Sequence, residues 1–210
     1  MISTTMKSKR TGLFYCKGLF KDFEHKIDKW DAPRERLFDG AMVKGRPSRG
    51  FGSTSFNYAG KLYEPEPWTT SVELIKTAAE DVAAMYFLEP VEFNFCLCGY
   101  YGKDGKGIPH HSDTVPTVDD IVVSISFGGP RIFVHRTYEN PIKKHSNTSE
   151  ISIKDPYHLS ENFLIKETHY LLEHGDVIMF DGEDQMYSTH AVSDLEFAKE
   201  RVNLTFRSGL

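Results

Sequence analysis

The hydrophobic period of this chain changes at Val91, and that change limits the folds open to it. Val91, Phe93, Phe95 and Leu97 alternate with Glu92, Asn94, Cys96 and Cys98. Such alternation puts successive side chains on opposite faces of an extended strand. Further strand-like runs follow at Ile121–Phe127, Arg131–Arg136, Phe163–Leu172, Asp176–Asp181, Tyr187–Ser193 and Glu200–Arg207. Gly128-Gly129-Pro130, His174-Gly175-Asp176 and Asp181-Gly182 separate them as turn signals. Many short strands after one or two helices predict an α+β, mainly β chain. The expected architecture is an antiparallel sandwich with helices packed on one side.

Before Val91 the period is helical. Phe20, Phe23, Ile27 and Trp30 fall at helical spacing, so Lys21–Trp30 is read as an amphipathic helix ended by Asp31-Ala-Pro. A short strand is expected within Gly12–Phe20. The clearest helix follows Pro65-Glu-Pro-Trp68. Thr70-x-x-Glu73 has the form of a capping box, and Val72, Ile75, Ala79, Val82 and Tyr86 make one apolar face before Glu89-Pro90. Residues 1–11 are read as a flexible terminus and 12–210 as a single domain. Residues 137–162 form a polar excursion, long for a connection in a compact fold.

Composition narrows the function classes. No apolar run approaches the length of a membrane span, and the first residues hold no apolar stretch of the secretory kind. The three cysteines, Cys16, Cys96 and Cys98, are read as reduced thiols, so an intracellular protein without a membrane partner is expected. A net charge of −5 argues against a uniformly basic nucleic-acid binder. However, residues 1–50 hold twelve Lys and Arg against six Asp and Glu. That basic part is suited either to phosphate contact or simply to solubility.

Three patterns carry chemistry. His111-Ser112-Asp113 presents an imidazole and a carboxylate on one face of an extended segment. His190, in MYSTHAVS, is the best third ligand for a 2-His-1-carboxylate metal site. The run Arg201-Val-Asn-Leu-Thr-Phe-Arg207 puts Arg201, Asn203, Thr205 and Arg207 on one face and Val202, Leu204 and Phe206 on the other. A polar face of this kind fits either a buried anion or an edge strand in water. Residues 39–60 mix basic, aromatic and glycine residues. They suit a loop or glycine-rich hairpin that stacks bases, or a surface ribbon whose Phe51, Phe56 and Tyr58 pack inward.

Taken together, His111-Ser-Asp113, SISFG (124–128), HGDVIMFDG (174–182), His190 and RVNLTFR resemble the AlkB family of Fe(II)- and 2-oxoglutarate-dependent dioxygenases. FNFCLCGYYGKDG (93–105) and PEPW (65–68) resemble its nucleic-acid demethylase branch. The likeness runs from about residue 40 to the end. It implies a double-stranded β-helix, or jelly roll, with N-terminal helices on the major sheet. It implies Fe(II) on His111, Asp113 and His190, with 2-oxoglutarate and O2 as cosubstrates. Tyr101 and Arg201, helped by Asn203 and Thr205, would take the distal carboxylate of 2-oxoglutarate, and Arg207 would lie near Asp113. Residues 39–60 would form a nucleotide-recognition lid, with Phe51 stacking on the base and Met42 or Val43 wedging into the strand.

Two positions depart from the family pattern. Gly99 stands where the family carries an asparagine that contacts 2-oxoglutarate. Val115 stands where an acidic residue recognises the damaged base. The implied activity is oxidative demethylation or hydroxylation of modified bases in DNA or RNA by a monomer. The alternatives are the same chemistry on a protein side chain or small metabolite, and a degenerate binding module.

Overall fold

The computed structural model describes residues 10–33, 35–38, 41–58, 61–113, 121–142 and 162–208. Its one long helix, α1 (Thr70–Phe87), starts where Thr69 accepts the Val72 N–H on its side chain. The cap is therefore Thr69, one residue before the expected capping box. Leu88, in the left-handed region at φ 63°, ends the helix ahead of Pro90. Val72, Ile75, Ala79, Ala83 and Phe87 are buried along one face.

Fourteen strands occur among the described residues. β1 (Phe14–Cys16) is the first of them. β2 (Glu35–Phe38) and β3 (Ala41–Lys44) form a hairpin. They are followed by β4 (Ser48–Gly52) and by β5 (Phe56–Tyr58), which pairs with β6 (Lys61–Tyr63). After α1 come β7 (Phe95–Tyr101), β8 (Ile108–His111), β9 (Ile121–Gly128), β10 (Arg131–Tyr138), β11 (Leu164–Leu172) and β12 (Val177–Asp181). A short helix, α2 (Gly182–Tyr187), leads to β13 (Ser188–Val192), and β14 (Arg201–Arg207) ends the fold.

Two antiparallel sheets hold most of these strands. The major sheet has the order β1-β12-β9-β14-β7-β4, and the minor sheet β11-β10-β13-β8. From β7 to β10 and again from β11 to β14, successive strands alternate between the two sheets. That alternation is the winding of a double-stranded β-helix, as the family likeness implied. Tyr101, Val122, Ile178 and Phe180 of the major sheet pack with Phe133, Leu172 and Val192 of the minor sheet. The opposite face of the major sheet packs Val123, Ile125, Val202, Leu204 and Phe206 against the apolar side of α1. Gly128 shows why the β9–β10 turn needs glycine. Its φ is +95°, and a Cβ there would stand 2.5 Å from the Glu200 carbonyl oxygen.

Three expectations need correction. Lys21–Trp30 is not helical, although Phe20 and Ile27 are buried as its pattern required. Its backbone is committed elsewhere: Phe20 N–H donates to the Gly175 carbonyl, Ile27 N–H to Nδ1 of His25, and the His25 carbonyl accepts from the Ser71 hydroxyl. Among the described residues one N-terminal helix, not several, thus covers the major sheet. Residues 48–52 are no loose ribbon, because β4 is an edge strand of the major sheet paired with β7. Phe51 pairs with Cys96, is 1% exposed, and belongs to the helix-covered core, so it is not a base-stacking aromatic. The alternative in which it packs inward holds. The β7 strand starts at Phe95 rather than Val91, since the Phe93 N–H is taken by Glu80 of α1. Residues 1–9, 143–161 and Val115 lie outside the described residues. No helix among those described is long and apolar enough to cross a membrane.

Candidate active site

β8 and β13 are neighbours in the minor sheet, and His111 pairs directly with His190. Cross-strand pairing brings their rings to 4.4 Å between centroids. Asp113 lies two residues beyond the end of β8, and its carboxylate turns back toward both rings. His111 Nε2 is 3.8 Å from Asp113 Oδ1, and His190 Nε2 is 3.9 Å from Oδ2. Ligand atoms of all three lie within 4.8 Å of one another, and all three residues are buried. Two imidazoles and one carboxylate converging from one side are the donor set of an Fe(II) site with open positions.

The surroundings hold each ligand in place. His111 Nδ1 lies 2.9 Å from the Pro109 carbonyl oxygen, so it donates there and leaves the Nε2 lone pair facing the cluster. Phe133 stacks on His190 at 5.2 Å, and Phe180 flanks it at the same distance. Burial among these rings, with His111 beside it, holds His190 well below the ordinary histidine pKa, against the pull of Asp113. It is therefore neutral and able to bind metal. Gln185, fully buried in α2, accepts from the Asp113 N–H at 2.7 Å and from the Ser112 hydroxyl at 3.0 Å. Arg207 Nη2 donates to Asp113 Oδ2 at 3.3 Å.

A second cluster sits on the major sheet. Antiparallel register sets Arg201 opposite Tyr101 and Asn203 opposite Gly99. Arg201 is 2% exposed and donates from Nη2 to Ser126 and Asn203, yet its Nε and Nη1 have no hydrogen-bond partner. Asn203 also accepts from Ser124 and donates to Thr205. Buried guanidinium donors without acceptors are costly, by roughly 1–3 kcal/mol or more for a charged group. A carboxylate supplied by a ligand would satisfy them in the forked geometry that arginine favours. Burial lowers the Arg201 pKa, while the nearby Tyr101 phenol opposes that. For Tyr101 itself, burial pushes the pKa up. The positive charges of Arg46, Arg201 and Arg131 outweigh it and pull the phenol below its usual value.

A family model for the 2OG-Fe(II) oxygenase superfamily matches residues 39–207. The chain belongs to that superfamily. The family's name calls for Fe(II) and 2-oxoglutarate, and the two clusters offer donors suited to each. The chain is 26% identical to the rat alpha-ketoglutarate-dependent dioxygenase alkB homolog 3 over 162 residues, which is 75% of this chain and 48% of that protein. Identity to the mouse homolog 3 is also 26%, over 174 residues, or 81% of this chain and 54% of that protein. The chain thus spans about half the length of the curated relatives it matches. A solved structure described as that of OsALKBH1 superposes with a TM-score of 0.56 at 17% identity, covering 96% of this chain and all of the other. At that identity it speaks for the jelly roll alone. The AlkB resemblance seen in the sequence is borne out by these relatives.

Of the residues expected from sequence, His111, Asp113 and His190 come together, as do Tyr101, Arg201 and Asn203, with Thr205 bonded to Asn203. Phe51 does not join them. Met42 and Val43 lie on β3, in a hairpin separate from both sheets. Sequence reasoning missed Gln185, Ser126, Arg46 and Arg131. Ser126 had a signal, since it shares a face with Ser124 in an otherwise apolar strand. Gln185 had none, because its role depends on how α2 packs against the turn after β8.

Proposed function

We propose that this chain is an Fe(II)- and 2-oxoglutarate-dependent oxygenase that oxidises modified bases in DNA or RNA. The observation carrying this reading is the pairing of a buried His-Asp-His cluster with a buried arginine whose free donors await an anion. His111, Asp113 and His190 would hold the iron. Arg201, with Tyr101, Asn203 and Thr205 around it, would take the distal carboxylate of 2-oxoglutarate. Arg207 would hold Asp113 in its orientation. Bound there, iron, 2-oxoglutarate and O2 supply an oxidation that hydroxylates a substrate C–H bond and yields succinate and CO2. Phe133 and Phe180 keep water from the His190 side. Where the hydroxylated carbon is an N-methyl group, its product collapses to formaldehyde and the free base.

Support for a nucleic-acid substrate comes from the AlkB resemblance and from the basic balance of residues 1–50. The β2–β3 hairpin, with Met42 and Val43, is the proposed strand contact, and Val115, two residues after Asp113 in sequence, is the proposed base contact. The test is a 2-oxoglutarate turnover screen over single- and double-stranded oligonucleotides bearing N-methylated bases. Succinate formation coupled to loss of the methyl group is expected. Turnover that no oligonucleotide stimulates would instead point to a protein side chain or a small metabolite. Absence of both iron binding and turnover would point to a binding module.

A further inference from the structure

Arg46 lies between β3 and β4, and its guanidinium sits 3.6 Å above the centre of the Tyr101 ring. Its Nη2 donates to the Gly107 carbonyl at 2.9 Å, tying the approach to β4 to the loop after β7. Arg201 lies 4.5 Å and Arg131 6.0 Å from the same ring. Arg131 is fully buried; it donates to the Gly102 and Pro130 carbonyls, and its Nε meets no acceptor. Arg49, Arg136 and Arg207 are ion-paired. Among the described residues, no carboxylate pairs with Arg46, Arg131 or Arg201. Three guanidiniums thus share one aromatic ring without a close ion pair, and the carboxylate acting on Arg131, that of Asp104, does so only from a distance. Such a charge excess beside the buried Arg201 and Arg131 favours a ligand that brings negative charge.

Gly99 makes this arrangement possible. A Cβ on residue 99 would stand 3.1 Å from Arg46 Cδ and 3.9 Å from the Tyr101 ring. A side chain there would compete with Arg46 for its place. We propose that Arg46 is a positioning residue of the cosubstrate pocket, lodged over Tyr101 in the room Gly99 leaves, where its charge selects 2-oxo acids that carry a second carboxylate. This rests on the cosubstrate reading above. Arg46 acts through Tyr101 and through the field it adds beside Arg201. It stands in for a side chain that residue 99 does not supply.

The test is calorimetric binding to full-length protein loaded with Mn(II), which holds the metal site without turnover. Two ligands are compared, 2-oxoglutarate and 2-oxobutyrate, which lacks the distal carboxylate. Arg46→Gln is expected to weaken 2-oxoglutarate about tenfold, the scale of one charge-assisted contact, and to leave 2-oxobutyrate within about twofold. Arg46→Lys keeps the charge and should recover part of the loss. Gly99→Ala, which leaves Arg46 in the chain but crowds it, should shift selectivity in the same direction. Equal weakening of both acids would make Arg46 a structural strut and overturn the inference, as would unchanged 2-oxoglutarate binding in Arg46→Gln. Wild-type protein that binds neither acid would overturn the cosubstrate reading itself, and this inference with it.

Discussion

Val202, Leu204 and Phe206 face one side of β14 and are buried with the apolar residues of α1. One residue along, Arg201, Asn203, Thr205 and Arg207 face the other side, toward the barrel interior. Arg201 and Arg207 are each 2% exposed, about as buried as the apolar set. The two faces share one backbone and one pair of neighbouring strands, and the arginines are buried as the apolar residues are. They differ in what burial does. On the helix side it removes apolar surface from water, which stabilises the fold by about 25 cal/mol per Å². On the interior side it strips water from cations and leaves donors of Arg201 unmet, which costs stability until a ligand arrives. Folding strength and binding chemistry are thus separated by the pleat of a single strand.

The largest effect that would sharpen this contrast is at the metal cluster. His111→Ala should abolish succinate formation while the protein stays folded, as circular dichroism would show. Full turnover in that variant would break the metal assignment. Next comes Leu204→Ala on the apolar face. It should lower stability by about 2–5 kcal/mol in urea unfolding, because it opens a cavity under α1. A loss under 1 kcal/mol would mean that this face carries less of the fold than its burial suggests.

Asp181 is the exception on the apolar side, since it shares the parity of Val177 and Met179 on β12. Burial, opposed by the N–H groups of Asp184 and Gly12, raises its pKa to about 6 from the ordinary 3.8. The folded state therefore holds this proton more tightly than the unfolded chain. Its contribution is complete below about pH 4 and is lost as pH rises through about 6, by at most roughly 2–3 kcal/mol. Comparing wild type with Asp181→Asn across that range isolates the effect. Parallel stability curves for the two proteins would remove it. The smallest change is expected at Arg201→Met. It should raise stability by about 1 kcal/mol by replacing an uncompensated buried charge, while 2-oxoglutarate binding is lost. A destabilised variant would show that Ser126 and Asn203 already satisfy that guanidinium.

Alternation made β9, β10, β12, β13 and β14 readable to within two residues at each end, because a strand between two packed layers must alternate or be apolar throughout. The helical spacing of Phe20 to Trp30 misled, for burial is what such spacing reports. Which hydrogen bonds the backbone makes is decided by neighbours, here Gly175 and Ser71. Phe51 was open between stacking and packing. Its sequence context of Arg and Gly could not reveal that β4 would pair with β7 and turn it under α1.

The chain alone therefore determined the donor types and their intervals: His and Asp two apart, a distant His, and cations at both ends of one strand face. These follow from local geometry, since extended backbone repeats every two residues whatever surrounds it. The tertiary structure decided which distant groups meet. It set His190 opposite His111, put Gln185 beneath Asp113, and brought Arg46 across to Tyr101 in the space above Gly99. Each of those contacts joins residues of different elements, and only the packing of one element on another sets such distances.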